Sequence, residues 1–84
     1  MFPRLARIAA LPGHRLHLVF TDGVEGCVEV AERLWGPMFE PLRDEALFAQ
    51  VRVDEHGAPV WPNGADLAPD ALHRLLTAEL GRGA

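Results

Sequence analysis

Val60-Trp61-Pro62-Asn63-Gly64-Ala65-Asp66-Leu67-Ala68-Pro69-Asp70 divides the chain into an extended part and a helical part. Val60-Trp61 pairs a β-branched with an aromatic residue, the composition of a strand. Pro62 removes a backbone donor and holds Trp61 extended, so a ladder should stop there. Asn63-Gly64 tolerates positive φ and lets the chain turn sharply. Pro69 suits a first helical position, and Asp70 favours the positive end of the helix.

Downstream, the spacing predicts one amphipathic helix over 69–80. Leu72, Leu75, Leu76 and Leu80 form its apolar stripe. Leu67 is placed to pack on Leu72 ahead of the first turn. Gly81 and Gly83 should end the helix, leaving 81–84 as a frayed tail.

Upstream, strands are expected over 4–11, 15–20 and 24–30, with Pro12-Gly13 as the first turn. The second and third form a hairpin whose register follows from the apolar positions. Leu16, Leu18 and Phe20 share one strand face, and Val24, Gly26, Val28 and Val30 share one face of the next. A two-residue Asp22-Gly23 loop would set Phe20 opposite Glu25. A three-residue Thr21-Asp22-Gly23 loop sets Phe20 opposite Val24, Leu18 opposite Gly26 and Leu16 opposite Val28. The second register keeps all apolar residues together, because a slip of one flips every side chain. It predicts a type I turn followed by a bulge, with Gly23 left-handed. His17, Val19, Glu25, Cys27 and Glu29 then share the opposite, partly wet face.

Residues 31–35 can make a helical turn or two, stopped by Gly36-Pro37. Met38, Phe39 and Leu42 are expected to pin the following loop to the core. Asp44 is a helix cap for a short helix over 45–49. Residues 50–53 and 58–61 read as a second hairpin. A four-residue loop, Asp54-Glu55-His56-Gly57, pairs Val53 with Ala58 and Val51 with Val60. Pro59 suits an edge, or a position whose N–H is not needed. The fold class is α+β: a small single domain over 1–84 with about five mainly antiparallel strands, ordered β-β-β-α-β-β-α. The C-terminal helix covers one sheet face. The strand order across the sheet is left open.

The stretch from Trp61 to Asp70 resembles the signature of small bacterial proteins grouped as domain of unknown function family 2442. Leu11-Pro12-Gly13-His14-Arg15-Leu16, Phe20-Thr21-Asp22-Gly23 and Gly36-Pro37-Met38-Phe39-Glu40-Pro41-Leu42-Arg43-Asp44 are similar to the family as well. Ala68 departs from it, since relatives often carry Asp before the Pro, and the helix cap is weaker for it. The resemblance implies a small α+β fold and no assigned activity. Some members sit beside toxin–antitoxin-like partners, and some are fused to a helix-turn-helix.

Composition bounds the function classes. The 84 residues carry 49% hydrophobic side chains and a net charge of −4, a globular balance. All eight basic residues are Arg. An acidic chain argues against binding nucleic acid alone, which needs clustered positive charge. No stretch reads as a signal peptide or a membrane span, so the expected location is the cytoplasm without membrane contact. Cys27 is the single cysteine, which excludes an intrachain disulfide and a cysteine-based metal site.

No residue set proposes catalysis, a cofactor or a metal. His14, His17, His56 and His73 are scattered, and each reads as a satisfied or solvated side chain. Asp54, Glu55 and His56 lack the spacing of a calcium loop and read as a turn. Cys27 reads as a small apolar packing residue, with His17 on its sheet face as the one hint of a nucleophile. The candidates for partner binding are Trp35, Trp61, Asn63 and Asp66. Both Trp stand beside chain breaks, and Trp is enriched in binding hot spots, although in so small a domain a Trp is more often core. For Asn63 and Asp66 the simpler reading is loop construction.

The expected function is a non-enzymatic protein-interaction module, the antitoxin-like or accessory member of a two-gene unit. The alternatives are a DNA-binding autoregulator, and a homo-oligomer with a small-molecule site at its interface.

Overall fold

The alternating apolar residues of 15–30 set up a sheet in the first third of the chain, and the Ala-rich stretch before them joins it as a strand despite its helix formers. The computed structural model describes residues 3–82, with side chains as far as Ala78. Strands β1 (Leu5–Leu11), β2 (Arg15–Phe20) and β3 (Glu25–Glu29) form one antiparallel sheet in that order. Two 3₁₀ turns follow, Ala31–Arg33 and Glu40–Arg43, and then the one-turn helix α1 (Glu45–Phe48). Strands β4 (Arg52–Val53) and β5 (Pro59–Val60) make a separate two-stranded sheet. Helix α2 (Pro69–Arg82) closes the fold. The expected five strands are present, divided between two sheets.

The β2–β3 register is the expected one. Leu16 faces Val28 and Leu18 faces Gly26. The Phe20 N–H donates to Val24 O at 2.8 Å, the Gly23 N–H donates to Phe20 O, and Gly23 has φ +92°. Leu16, Leu18, Phe20 and Val28 therefore turn inward and are buried. Helix α2 covers this inner face with Leu72 and Leu76. It comes so close to β3 that a Cβ on Gly26 would lie 2.7 Å from Leu76 Cδ1.

The second hairpin corrects the expected register by one residue. Val53 faces Pro59 and Arg52 faces Val60. Asp54 is the cause. Its N–H donates to Ala58 O at 2.8 Å, and its Oδ1 accepts from His56 N and Ala58 N at 2.8 and 3.0 Å. Asp54 therefore belongs to the closing pair, and the loop is Glu55-His56-Gly57. The next pair, Val53–Pro59, is of the type that exchanges no hydrogen bonds, so the proline's missing N–H is not needed by β4.

Past β5 the same geometry occurs a third time. The Trp61 N–H donates to Ala65 O at 2.9 Å, the Gly64 N–H donates to Trp61 O, and Gly64 has φ +90°. Val60 bridges to Asp66. The ladder of β5 ends before Pro62 as expected, yet the chain folds back on itself before the helix begins.

Helix α2 starts at Pro69 but continues through Gly81 to Arg82, beyond the expected stop. The Leu80 side chain and residues 83–84 of the proposed tail lie outside the described residues. No helix among the described residues is long and apolar enough to cross a membrane.

Two loop glycines separate conformation from crowding. Gly23 has nothing within 4 Å of an added Cβ, whereas at Gly57 (φ +77°) it would lie 2.7 Å from Arg4 Cβ and 3.1 Å from Arg4 Cα. Gly23→Ala should cost only the left-handed backbone penalty, about 1–2 kcal/mol. Gly57→Ala adds the clash and should cost about 2–4 kcal/mol. Urea denaturation checks this, and equal losses would show that Arg4 is free to move aside.

Candidate functional site

Between the 3₁₀ turns the chain leaves the core at Leu34 and returns at Leu42, both fully buried. The chain bulges outward between them, and the backbone from Leu34 to Met38 is tied at three carbonyls. Arg43 Nε donates to Leu34 O at 2.8 Å. Gly36 O accepts from Phe39 N and Glu40 N at 3.1 and 2.9 Å, with Gly36 at φ +90°. Asn63 Nδ2 donates to Met38 O at 2.9 Å. The loop is thus fixed by its backbone while the side chains of Trp35 and Met38 point away from the core.

Two large apolar side chains are left in solvent, Trp35 at 69% and Met38 at 45% exposure. They line an open groove of about 480 Å³ with Arg33, Pro37, Phe39 and Leu67. The expected core pin at Met38 is corrected: Phe39 packs on the core and Leu42 is inside it, but the Met38 side chain is outside. Met38 is held by its carbonyl instead.

The four candidate residues separate. Trp35 is exposed. Trp61 is 1% exposed, its indole N–H donates to Phe48 O at 2.9 Å, and its ring stacks on Phe48 at 5.8 Å. Trp61 is therefore core, and its place among the partner-binding residues is corrected. Asn63 builds its own loop, with Oδ1 accepting from Ala65 N at 3.1 Å, and it also steadies the Trp35 loop through Met38. Asp66 is exposed on the segment bridged to Val60, and among the described residues its side chain has no hydrogen bond. Sequence reasoning missed the contribution of Met38 and Arg43. Nothing in the residue order distinguishes a methionine pinned by its side chain from one pinned by its carbonyl.

Each histidine has a separate partner, which for the exposed His56 is the neighbouring Glu55 Oε1 at 3.6 Å. His14 Nε2 meets Arg43 O at 2.9 Å and its ring stands edge-on to Phe48. His17 Nε2 lies 3.1 Å from Glu25 Oε2. His73 Nε2 lies 2.8 Å from Asp22 Oδ2, and its ring stands edge-on to Phe20. Among the described residues no group of three His, Cys, Asp or Glu could hold a metal ion. Cys27 faces His17 across the strand pair but is exposed, not packed as expected. It lies on the sheet face opposite α2, where no second layer meets it among the described residues.

The family model for "Protein of unknown function (DUF2442)" matches residues 5–78. The chain belongs to the DUF2442 family. A solved structure with the same fold is the crystal structure of a "putative DNA binding protein" from Nitrosomonas europaea, with a TM-score of 0.82 and 25% identity. The match covers 96% of this chain and 53% of that one. The chain thus spans about half the length of its structural neighbour. No curated protein matches. The DUF2442 match runs from the start of β1 to Ala78 on α2, and so includes both hairpins and the Trp35 loop.

Asp22 ties the first hairpin of this DUF2442 fold to α2. The Val24 N–H and then the His73 ring hold its carboxyl below the ordinary value of 3.8. A lowered folded-state value stabilises the fold above the unfolded-state value, and that contribution disappears as pH falls through the folded one. Asp22→Asn should lower stability near neutral pH and flatten the loss of stability below about pH 4. Denaturant melts at a series of pH values check this, and parallel curves for the two proteins would refute it.

Proposed function

We propose that this DUF2442 chain is a non-enzymatic protein-interaction module whose contact surface is centred on Trp35. One observation carries the reading. Among the described residues thirteen hydrophobic side chains are buried, Trp61 included, yet Trp35 is left 69% exposed on a loop with a fixed backbone. A rigid, exposed Trp beside an apolar groove is the anatomy of a binding hot spot. Met38 and Leu67 extend the apolar area, and Arg33 gives it a polar margin. The family resemblance supports a partner encoded nearby, with this chain as the antitoxin-like or accessory member.

Co-expression with the product of the adjacent gene tests the proposal. The two proteins should co-purify in fixed ratio. Trp35→Ala should weaken the complex at least about 30-fold, as expected for a hot spot worth 2 kcal/mol or more, while the circular dichroism of the fold is retained. Unchanged affinity in that variant would overturn the Trp35 surface. Trp61→Phe provides an internal check, because the remaining Trp35 emission should be quenched by acrylamide until the partner covers it.

The second reading is a DNA-binding autoregulator. The name of the Nitrosomonas neighbour favours it, and the net charge of −4 counts against it. Anisotropy of a labelled duplex from the chain's own promoter, at low salt, decides the matter. Sequence-dependent binding would favour this reading over the first.

A further inference from the structure

The two edges of the three-stranded sheet differ. At β1, the Leu5 N–H donates to Gly57 O at 2.9 Å, so the second hairpin occupies the start of that edge. At β3, among the described residues, nothing occupies the edge. The bonds between Phe20 and Val24 and between Val30 N and His14 O fix the phase of the ladder. Val24, Gly26, Val28 and Val30 bond toward β2. Glu25, Cys27 and Glu29 therefore turn their N–H and C=O groups outward. A row of unpaired backbone groups is a template for another strand.

Two further features say which strand fits. Glu25 and Glu29 stand at the two ends of this edge, both exposed. A second copy of β3 paired antiparallel about Cys27 would set Glu25 opposite Glu29 twice, a like-charge arrangement that disfavours self-pairing. A basic strand would meet opposite charge at both positions. The edge also borders a cavity of about 250 Å³, lined by Arg15, Cys27, Val28, Glu29 and Leu75. Leu75 is half-buried on α2, between the buried Leu72 and Leu76. A strand edge flanked by a helix is a recurring peptide-binding arrangement, in which main-chain bonds give affinity and side-chain pockets give specificity.

We propose that the β3 edge, with Leu75 beside it, takes an extended basic segment of a partner protein as a fourth strand. The segment carries Arg or Lys at alternate positions, opposite Glu25 and Glu29, and apolar residues between them that turn toward Val28 and Leu75. The proposal rests on the interaction-module reading and names the partner's chemistry. It uses a surface that shares no residue with the Trp35 groove.

The test uses the full chain and three fluorescein-labelled peptides: Arg-Val-Arg-Val-Arg, the same peptide N-methylated on its backbone, and Glu-Val-Glu-Val-Glu. The basic peptide should bind and slow amide exchange at Glu25, Cys27 and Glu29. Backbone methylation should weaken it by about tenfold or more, because the added strand is held by N–H donors. Glu25→Lys with Glu29→Lys should transfer binding to the acidic peptide. Trp35→Ala should change none of this. Failure of the basic peptide to bind, equal binding of its methylated form, protection of amides elsewhere, or a dimer formed through β3 would each overturn the proposal. Loss of the adjacent-gene complex in Trp35→Ala, with no peptide at β3, would remove this inference and leave the function reading standing.

Discussion

The indole N–H of Trp61 bonds to the carbonyl of Phe48, and their two rings stack. This pair joins α1 to the segment after β5, and the contact of Phe48 with His14 extends the joint to the first sheet. Phe48 ends α1 and also meets His14, at the turn between β1 and β2. Trp61 directly follows β5, and its backbone closes the loop that leads toward α2. A buried Trp needs a partner for its one polar atom. Here the partner is the carbonyl at the end of a one-turn helix, which also accepts a longer bond, 3.3 Å, from Val51 N. The bond thus satisfies the buried indole N–H and ties it to backbone that local structure already holds.

Around this anchor the chain reverses three times by one device. Thr21-Asp22-Gly23, Glu55-His56-Gly57 and Pro62-Asn63-Gly64 each place glycine third, with φ between +77° and +92°. Each loop is closed by the same two backbone bonds. Acidic or amide side chains finish the geometry: Asp22 accepts from Val24 N, Asp54 from His56 N and Ala58 N, and Asn63 from Ala65 N. The third loop has an added role, because Asn63 has a donor to spare for Met38 O. The exposed loop that carries Trp35 is therefore positioned by the turn that starts the final helix.

How much of this was legible depends on which force decides each element. The first hairpin was readable because six apolar residues vote for one register, and hydrophobic burial overrides other preferences. The short second hairpin offers too few apolar pairs to outvote a side chain, and Asp54 moved its register by one. Asp44 was readable as a cap because its bond to Ala46 N is local. Trp35 and Trp61 looked alike in sequence, since both precede a break. Their fates differ through distant contacts: Trp61 finds Phe48, while Gly36 turns Trp35 outward. Cys27 was misread for a similar reason. Alternation placed it on the outer face, but only the three-dimensional layering shows that nothing among the described residues covers that face.

An uncovered face with one thiol also governs how the protein behaves in the tube. Without reductant, two copies can be joined through Cys27 sulfur, and the resulting mass would record oxidation, not assembly. With reductant, the same thiol is a single point of attachment for a dye or spin label between Glu25 and Glu29. A probe placed there reports on one strand edge and leaves the buried Trp61–Phe48 joint untouched.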